Sequence, residues 1–371
     1  MSTTSPTTAT PAAPRQFPCN SCGAGLEFSP GTATLKCPYC SHQNRIPQSA
    51  DDIKELDFYD FFARATAQGE TRDAQTVTCQ SCNAVSTVQP NLSLSHCPFC
   101  GSQLHAAAKA ARLIKPGAVL PFGIPGNQAL QLFREWLGSL WFAPGGLKDQ
   151  ATREGSITGL YIPYWTFDAR TTTWYDGERG DDYYVTEHFT DTDDKGTTVS
   201  RSRQVRHTRW HNASGTVWQH FDDILVQAGA SLPPAIIDEL EPWNLEKLVP
   251  YRDEYMSGFQ SEVYQVDLGS GFERGKTIMD AAIREAVKRD IGGDQQRIGT
   301  VRTQFDDITF KHILLPVWIS AYRYKDRSYR FVINGDTGEV QGERPWSVAK
   351  LVLAIAAAAI LLFLIVAVLR A

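Results

Sequence analysis

No cysteine occurs after Cys100 in a chain of 371 residues. A secreted protein held by disulfides would spread them through its folded body, so that class is excluded and a reducing compartment is expected. Neither sign of charge dominates: 36 Lys+Arg stand against 41 Asp+Glu, a formal net charge of −5. That balance argues against a whole-chain nucleic-acid binder but leaves room for a local basic patch. Long apolar runs are missing as far as residue 350, and a mean hydropathy of −0.28 excludes a polytopic membrane protein. The opening MSTTSPTTATPAAPRQ lacks the apolar stretch of a secretory signal and is expected to be a disordered arm over residues 1–16. The chain as a whole is 42% hydrophobic. That is enough to bury a core, and the length predicts two or three domains of ~100–200 residues.

The eight cysteines fall in two sets of one spacing. Cys19-x2-Cys22 and Cys37-x2-Cys40 make the first; Cys79-x2-Cys82 and Cys97-x2-Cys100 repeat it sixty residues later. The surroundings repeat too, with Lys36-Cys37-Pro38-Tyr39-Cys40 against His96-Cys97-Pro98-Phe99-Cys100. Each Cys-x2-Cys turn aims two thiolates at one ion, and two turns complete a closed tetrahedral site with no open position for substrate. Two structural Zn2+ ions are expected, in zinc ribbons at residues 17–47 and 76–105; iron in a rubredoxin-like S4 site is the alternative. His42 and His96 adjoin the turns, but four cysteines already fill each site. Positive charge is sparse: Arg15, Lys36 and Arg45 in or beside the first ribbon, none between Cys79 and Cys100. The second ribbon therefore reads as a poor phosphate binder. Between them, Ile53, Leu56, Phe61, Phe62 and Ala65 after Asp51-Asp52 predict a helical connector over 48–75, packed on a ribbon.

A linker is expected over 106–118, and then a second duplication. Pro163, Trp165 and Arg170 match Pro316, Trp318 and Arg323 at an offset of 153. Helical stretches at 127–137 and 277–288 precede the two copies, and strand and turn signals follow them. The fold class is α+β: one repeat with a long hairpin over 119–230, a helical connector over 231–258, and a second repeat over 259–346. Pro163 and Pro316, inside strand-like runs, predict edge positions or bulges. The hairpin is expected to turn at Asp193-Asp194-Lys195-Gly196 and to carry Arg201, Arg203, Val205, His207, Arg209 and His211 on one face. Arg201, Arg203, His207 and Arg209 are candidates for contact with anionic lipid or nucleic acid. The alternative is a ladder of charges paired with Glu187 and Asp191 on the facing strand.

Catalytic motifs are thin. Gly269 to Thr277 resembles a phosphate-binding loop, but Ser270 stands where the pattern needs Gly. Neither G-x-S-x-G nor H-E-x-x-H occurs, and no enzyme activity is expected. His207, His211 and His220 do not define a metal site by spacing.

The one apolar run comes last. Leu351 to Leu369 has no charge, proline or glycine over 19 residues. At ~1.5 Å per residue it nearly spans a ~30 Å hydrocarbon core. A transmembrane helix over 349–369 is expected, flanked by Arg344, Trp346 and Lys350; a buried apolar helix is the alternative. A tail anchor of this kind puts the bulk of the chain on the cytoplasmic side of a cell membrane, with the lipid bilayer as its first partner.

Several segments resemble a bacterial family, the TFIIB-type zinc-ribbon-containing proteins with a C-terminal membrane helix. They are Leu240-Glu241-Pro242-Trp243-Asn244-Leu245, Asp290-Ile291-Gly292-Gly293-Asp294, Phe310 to Ile319, Arg330 to Gly335, and Thr337-Gly338-Glu339. The resemblance runs from the first ribbon to the anchor. Members are often labelled as the primosomal replication-restart helicase through the ribbons alone, and this sequence lacks helicase motifs. The resemblance implies a scaffold at the inner membrane in envelope stress, beside phage-shock protein A and SPFH proteins, and it brings no catalytic residues. The expected function is a non-enzymatic adaptor; the alternative is a replication-associated nucleic-acid binder without helicase activity.

Overall fold

The computed structural model describes residues 17–47, 53–63, 71–87, 96–104, 108–144, 157–192, 198–324 and 327–370. The expected arm over 1–16, the hairpin turn at 193–196 and Ala65 lie outside them. In chain order, the first ribbon is a small antiparallel sheet of β1 (Glu27–Phe28), β2 (Thr34–Lys36) and β3 (Gln43–Arg45). Next come β4 (Leu56–Asp57) and the six-residue helix α1 (Phe58–Ala63). The second ribbon has β5 (Thr71–Thr78), β6 (Val85–Thr87) and β7 (Lys109–Ile114), in the order β6-β5-β7.

Two expectations change here. Among its described residues the connector over 48–75 holds one short helix, and that helix meets the body: Phe58 packs on Phe272 at 4.8 Å and Phe61 on Phe310 at 5.2 Å. The linker over 106–118 contains a strand, because β7 closes the second ribbon's sheet against β5 over Thr71↔Ile114 to Thr76↔Lys109.

The body continues with β8 (Ala118–Val119), α2 (Gly126–Ser139), β9 (Thr158–Thr192) and β10 (Thr198–Gln227). A largely irregular stretch follows, with α3 (Pro234–Asp238), two 3-10 turns and β11 (Val249–Pro250), so the helical connector over 231–258 is mostly loop. Then come β12 (Gln260–Ser261), α4 (Leu268–Ile291), β13 (Gln295–Tyr324), β14 (Arg327–Asn334), β15 (Val340–Gly342) and α5 (Val348–Arg370). The central sheet has the order β10-β9-β13-β14-β15, with β12 paired to β9 and β8 to β13.

The register exposes the duplication. Antiparallel β9 and β13 pair Ile162 with Leu315, and that pair is separated by the same 153-residue offset as the matched prolines. A pseudo-twofold axis therefore runs through it. The axis exchanges the short parallel strands as well: β12 lies along Leu160 and Tyr161, β8 along Ile313 and Leu314. Each repeat thus lends its first strand to the long strand of the other.

The prolines occupy matching gaps. Pro163 lies on a central strand, not an edge, where β12 has ended and β10 begins; Pro316 lies where β8 gives way to β14. Their carbonyls accept from Ala228 N (3.0 Å) and Gly335 N (2.8 Å) on that outer side. The nitrogen of each proline faces the same side, at a point where the ladder needs no donor.

Side chains alternate across the sheet with period two. One face of β9 and β13 (Tyr161, Leu314, Trp318) meets α2 through Ala129, Phe133 and Leu137, and the first ribbon through Leu26, Phe28, Leu35 and Cys37. Further along that face, Trp165, Phe167 and Phe310 meet α4 through Phe272, Met279, Ile283 and Val287. The opposite face (Leu160, Ile162, Ile313, Leu315) is covered by the second ribbon and by Leu232, Ile237 and Leu240. Both ribbons are thus part of the cores on their respective faces.

The loop-like run at Gly269–Thr277 lies inside α4, which removes a phosphate-binding loop. Its glycines serve packing. A Cβ on Gly271 would lie 2.7 Å from the Trp165 ring, so glycine lets helix and sheet approach there. Asp267 caps the helix by accepting from Ser270 N at 2.9 Å, and Gly292 ends it at φ 69°.

α5 is long and apolar enough to cross a membrane. Its span Val348–Leu369 is 22 residues long, its most apolar stretch has a mean hydropathy of 3.3, and none of that stretch is buried against the rest of the chain. A buried core helix does not fit that exposure.

Candidate metal centres

Four turns of one geometry build the sites. The amides of Gly23, Ser41, Asn83 and Gly101 donate to the carbonyls of Cys19, Cys37, Cys79 and Cys97 at 2.9 to 3.0 Å. Those four residues have φ between 60° and 74°, the left-handed region that glycine and asparagine tolerate best. The small residue after the second cysteine of each pair was a legible signal that the spacing argument did not use. Within a turn, amides also point at sulfur: Ser21 N to Cys19 Sγ at 3.4 Å and Cys40 N to Cys37 Sγ at 3.5 Å. The Cys40 amide is the main cause that lowers the Cys37 thiol to about 7, while the neighbouring Cys40 and Cys37 sulfurs raise Cys22 to about 12.

The sulfur spacings fit a tetrahedral ion. Opposed sulfurs lie 3.6 Å apart in Cys19–Cys40, 3.5 Å in Cys22–Cys37, 3.6 Å in Cys79–Cys100 and 3.7 Å in Cys82–Cys97. Zn–S bonds of ~2.3 Å place tetrahedral sulfurs roughly 3.8 Å apart, whereas a disulfide needs ~2.05 Å. Within each set the ligand atoms all lie within 4.8 Å of one another. All eight expected ligands are therefore brought together, four by four, in sets that can each hold one metal ion and are consistent with zinc. His42 and His96 belong to neither set; the His42 carbonyl serves the turn by accepting from Cys37 N at 2.9 Å.

The two sites are not equally covered. Cys19, Cys37, Cys79 and Cys97 are buried toward the body; Cys22 and Cys40 are exposed, while Cys82 and Cys100 are half-buried. Tyr39 and Phe99 are equivalent under the sixty-residue repeat, yet Tyr39 is 83% exposed and Phe99 is 0% exposed. The second ribbon turns its aromatic into the body; the first turns it to solvent. Backbone contacts tie both down, with Gly31 N to Phe122 O at 2.7 Å and Val263 N to Val85 O at 2.8 Å.

The arginine stripe is a cross-strand ladder. Arg203 reaches Glu187 at 3.0 Å and lies over Phe189, and Arg201 reaches Asp191 at 3.3 Å. Arg209 lies over the Tyr183 ring at 5.2 Å, and His207 stacks on that ring at 5.6 Å. The hairpin is far longer than the sequence signals, pairing without interruption from Thr198↔Thr192 to Phe221↔Ala169. Because β13 joins β9 only as far as Gly180, the part beyond it projects as a two-stranded arm.

One charged cluster was not foreseen. Lys311, on β13, places Nζ 2.7 Å from Asp223, 3.0 Å from Glu55 and 4.0 Å from Asp168. It forms where β10 and β13 bulge, between Phe221/Ile224 and Asp306/Thr309, with Asp223 at φ 52°. Asp168 accepts from Asp223 N at 2.6 Å and from Thr309 Oγ1 at 3.1 Å, yet burial pushes its carboxyl up to about 6. Glu55, Asp168 and Asp222 have oxygens close enough for a metal, but the Lys311 ammonium already serves as the local cation. A lysine inside the run Phe310-Lys311-His312-Ile313 was the signal that pointed here.

Its neighbour His312 is buried. Nδ1 lies 3.1 Å from the Ile114 carbonyl, and Nε2 has no partner among the described residues. Burial, aided by the Arg72 charge, lowers its pKa to about 3 against the pull of the Ile114 carbonyl. A histidine held neutral by the fold stabilises fully above its unfolded value of ~6.5, and that contribution is lost as pH falls toward the folded value. Relative to His312→Gln, the wild-type chain should lose on the order of 3 kcal/mol between pH 6.5 and pH 4, at ~1.4 kcal/mol per unit. Denaturant unfolding across that range reads the difference; a constant offset would refute the burial account.

Among known proteins, the chain is similar to the uncharacterized protein YdjG of Bacillus subtilis (strain 168), 27% identical over 349 residues. The similarity covers 90% of this chain and 91% of that protein. No family model matches the chain, and no solved structure does.

Proposed function

We propose that the chain is a non-enzymatic, tail-anchored adaptor whose two zinc-filled ribbons are held at the cytoplasmic face of a bacterial cell membrane. The observation that carries this reading is the unequal docking of two otherwise equivalent ribbons. The second spends its aromatic turn on the body, with Phe99 buried, whereas the first leaves Tyr39 83% exposed beside its closed site. A large exposed aromatic on a rigid metal-held turn is suited to anchoring a protein partner. Closed four-sulfur sites leave no metal position for substrate, which favours a structural role. The family resemblance directs the search for partners to phage-shock protein A and SPFH proteins. Nucleic-acid binding is the weaker reading, because the arginines of the stripe are engaged with Glu187, Asp191 and aromatic rings.

Crosslinking in intact membranes tests the proposal. It is expected to return a membrane-associated protein partner whose yield drops at least several-fold in Tyr39→Ala, while a substitution on the projecting arm, Arg203→Glu, leaves the yield unchanged. No partner, or a partner indifferent to Tyr39, would sink the adaptor reading.

A further inference from the structure

The geometry points to a second membrane contact: the loop after α2 lies at the lipid headgroup layer, where Trp141 and Phe142 join Trp346 to fix the body against the bilayer. The inference rests on the reading of α5 as a membrane span.

Placement comes from hydrogen bonds to the start of that helix. Ser347 N donates to the Phe142 carbonyl at 2.8 Å. Lys350 Nζ donates to the carbonyls of Trp141 (3.1 Å) and Ala143 (2.8 Å). The loop is therefore held within one turn of Val348, where the apolar span begins. Twenty-two residues at ~1.5 Å rise make about 33 Å, so a ~30 Å hydrocarbon core uses the whole span and brings its first turn to the interface. Whatever is fastened to Ser347 and Lys350 lies at the same depth.

The chemistry of the loop suits that depth. Trp141 is 84% exposed, Trp346 56% and Phe142 39%. Phe142 and Trp346 stand 6.3 Å apart, and Arg344 lies over the Trp346 ring at 4.8 Å. An aromatic cluster left this open to water is unfavourable, while indole rings are enriched at headgroup level, with an apolar body and a polar edge. Arg344 and Lys350 supply the cations that favour an anionic leaflet. Lys350 also covers carbonyls that follow the C-terminal end of α2, which would otherwise face a region poor in water. The sequence shows Trp346 as an interface residue by its nearness to the span; Trp141 lies about two hundred residues earlier, and only the fold brings it there.

The test reconstitutes the full chain into vesicles of phosphatidylcholine and phosphatidylglycerol carrying lipids brominated just below the headgroup, and compares it with Trp141→Phe and Trp346→Phe. Lipid-quenched tryptophan emission is expected to fall in each variant and further in the double variant, and iodide in the aqueous phase should gain little access to Trp141. If Trp141→Phe leaves the lipid-quenched fraction unchanged and its lost emission is the iodide-quenched part, the second contact is wrong and the span stands. If the wild-type chain washes off the vesicles at alkaline pH, as a chain lacking residues 348–370 should, the span and the contact fall together.

Discussion

Cys37→Ser lowers the zinc content from two ions per chain to one and unfolds the first ribbon. The expectation follows from how little else holds that module. Its sheet is three strands of two or three residues, and its buried apolar side chains are few: Leu26, Phe28, Leu35 and Ile46 beside the sulfurs. Modules this small lack sufficient core, and structural zinc contributes on the order of 10 kcal/mol to the folding of comparable units. Cys37 is 0% exposed and shares a cluster with Phe122, Phe133 and Tyr161. The loss should therefore loosen one face of the central sheet as well. Metal analysis together with limited proteolysis reads both effects: new cleavage within 17–47, and protection retained within 76–87 and 96–104. A variant that keeps two ions, or keeps the ribbon resistant to protease with one, would contradict the role given to the metal.

Lys311→Met destabilises the body by ~1–3 kcal/mol, the cost of leaving the buried Asp168 carboxylate and its part-exposed neighbours Asp223 and Glu55 without their cation. The methylene stem of lysine is nearly conserved in methionine, so the change removes charge more than volume. Asp168 already pays for burial with a carboxyl raised to about 6, and Asp223 and Glu55 lie within 3.0 Å of the ammonium. Adding Asp168→Asn to Lys311→Met should restore part of the loss, since the asparagine oxygen can still accept from Asp223 N while the site sheds a negative charge. Equilibrium unfolding of the detergent-solubilised chain gives the double-mutant cycle. Additive effects would show that the lysine and the aspartate do not act as one unit.

Much of this molecule was legible because its information is local or repeated. A thiolate pair two residues apart can be read from four positions, and the sixty-residue repeat doubled that signal. The 153-residue offset of Pro163 and Pro316 carried over directly into the pairing of Ile162 with Leu315. An uncharged run from Leu351 to Leu369 needs no context to read as a span.

What escaped depends on contacts between distant segments. β7 looked like a linker because Ala106 to Ala111 is small and nearly featureless; it is a strand only because β5 lies beside it. Phe61 and its apolar neighbours predicted a helix face and a ribbon to cover it, but the face meets α4 and β13, which lie more than two hundred residues further on. The hairpin's length escaped because strands of thirty or more residues are rare, and nothing local in the sequence marks pairing that runs on through Gly177 and Gly215. Lys311 escaped for the same reason: its three carboxylates come from Glu55, Asp168 and Asp223, on three separate segments.

Two closed metal sites packed on one duplicated body hold the soluble part of this chain together. Zinc quantification and X-ray absorption on the full chain, purified reduced, test this most directly. Two zinc ions per chain, each with four sulfur neighbours at ~2.3 Å, are predicted. A zinc content near zero, iron in its place, or a shell containing nitrogen or oxygen would contradict it.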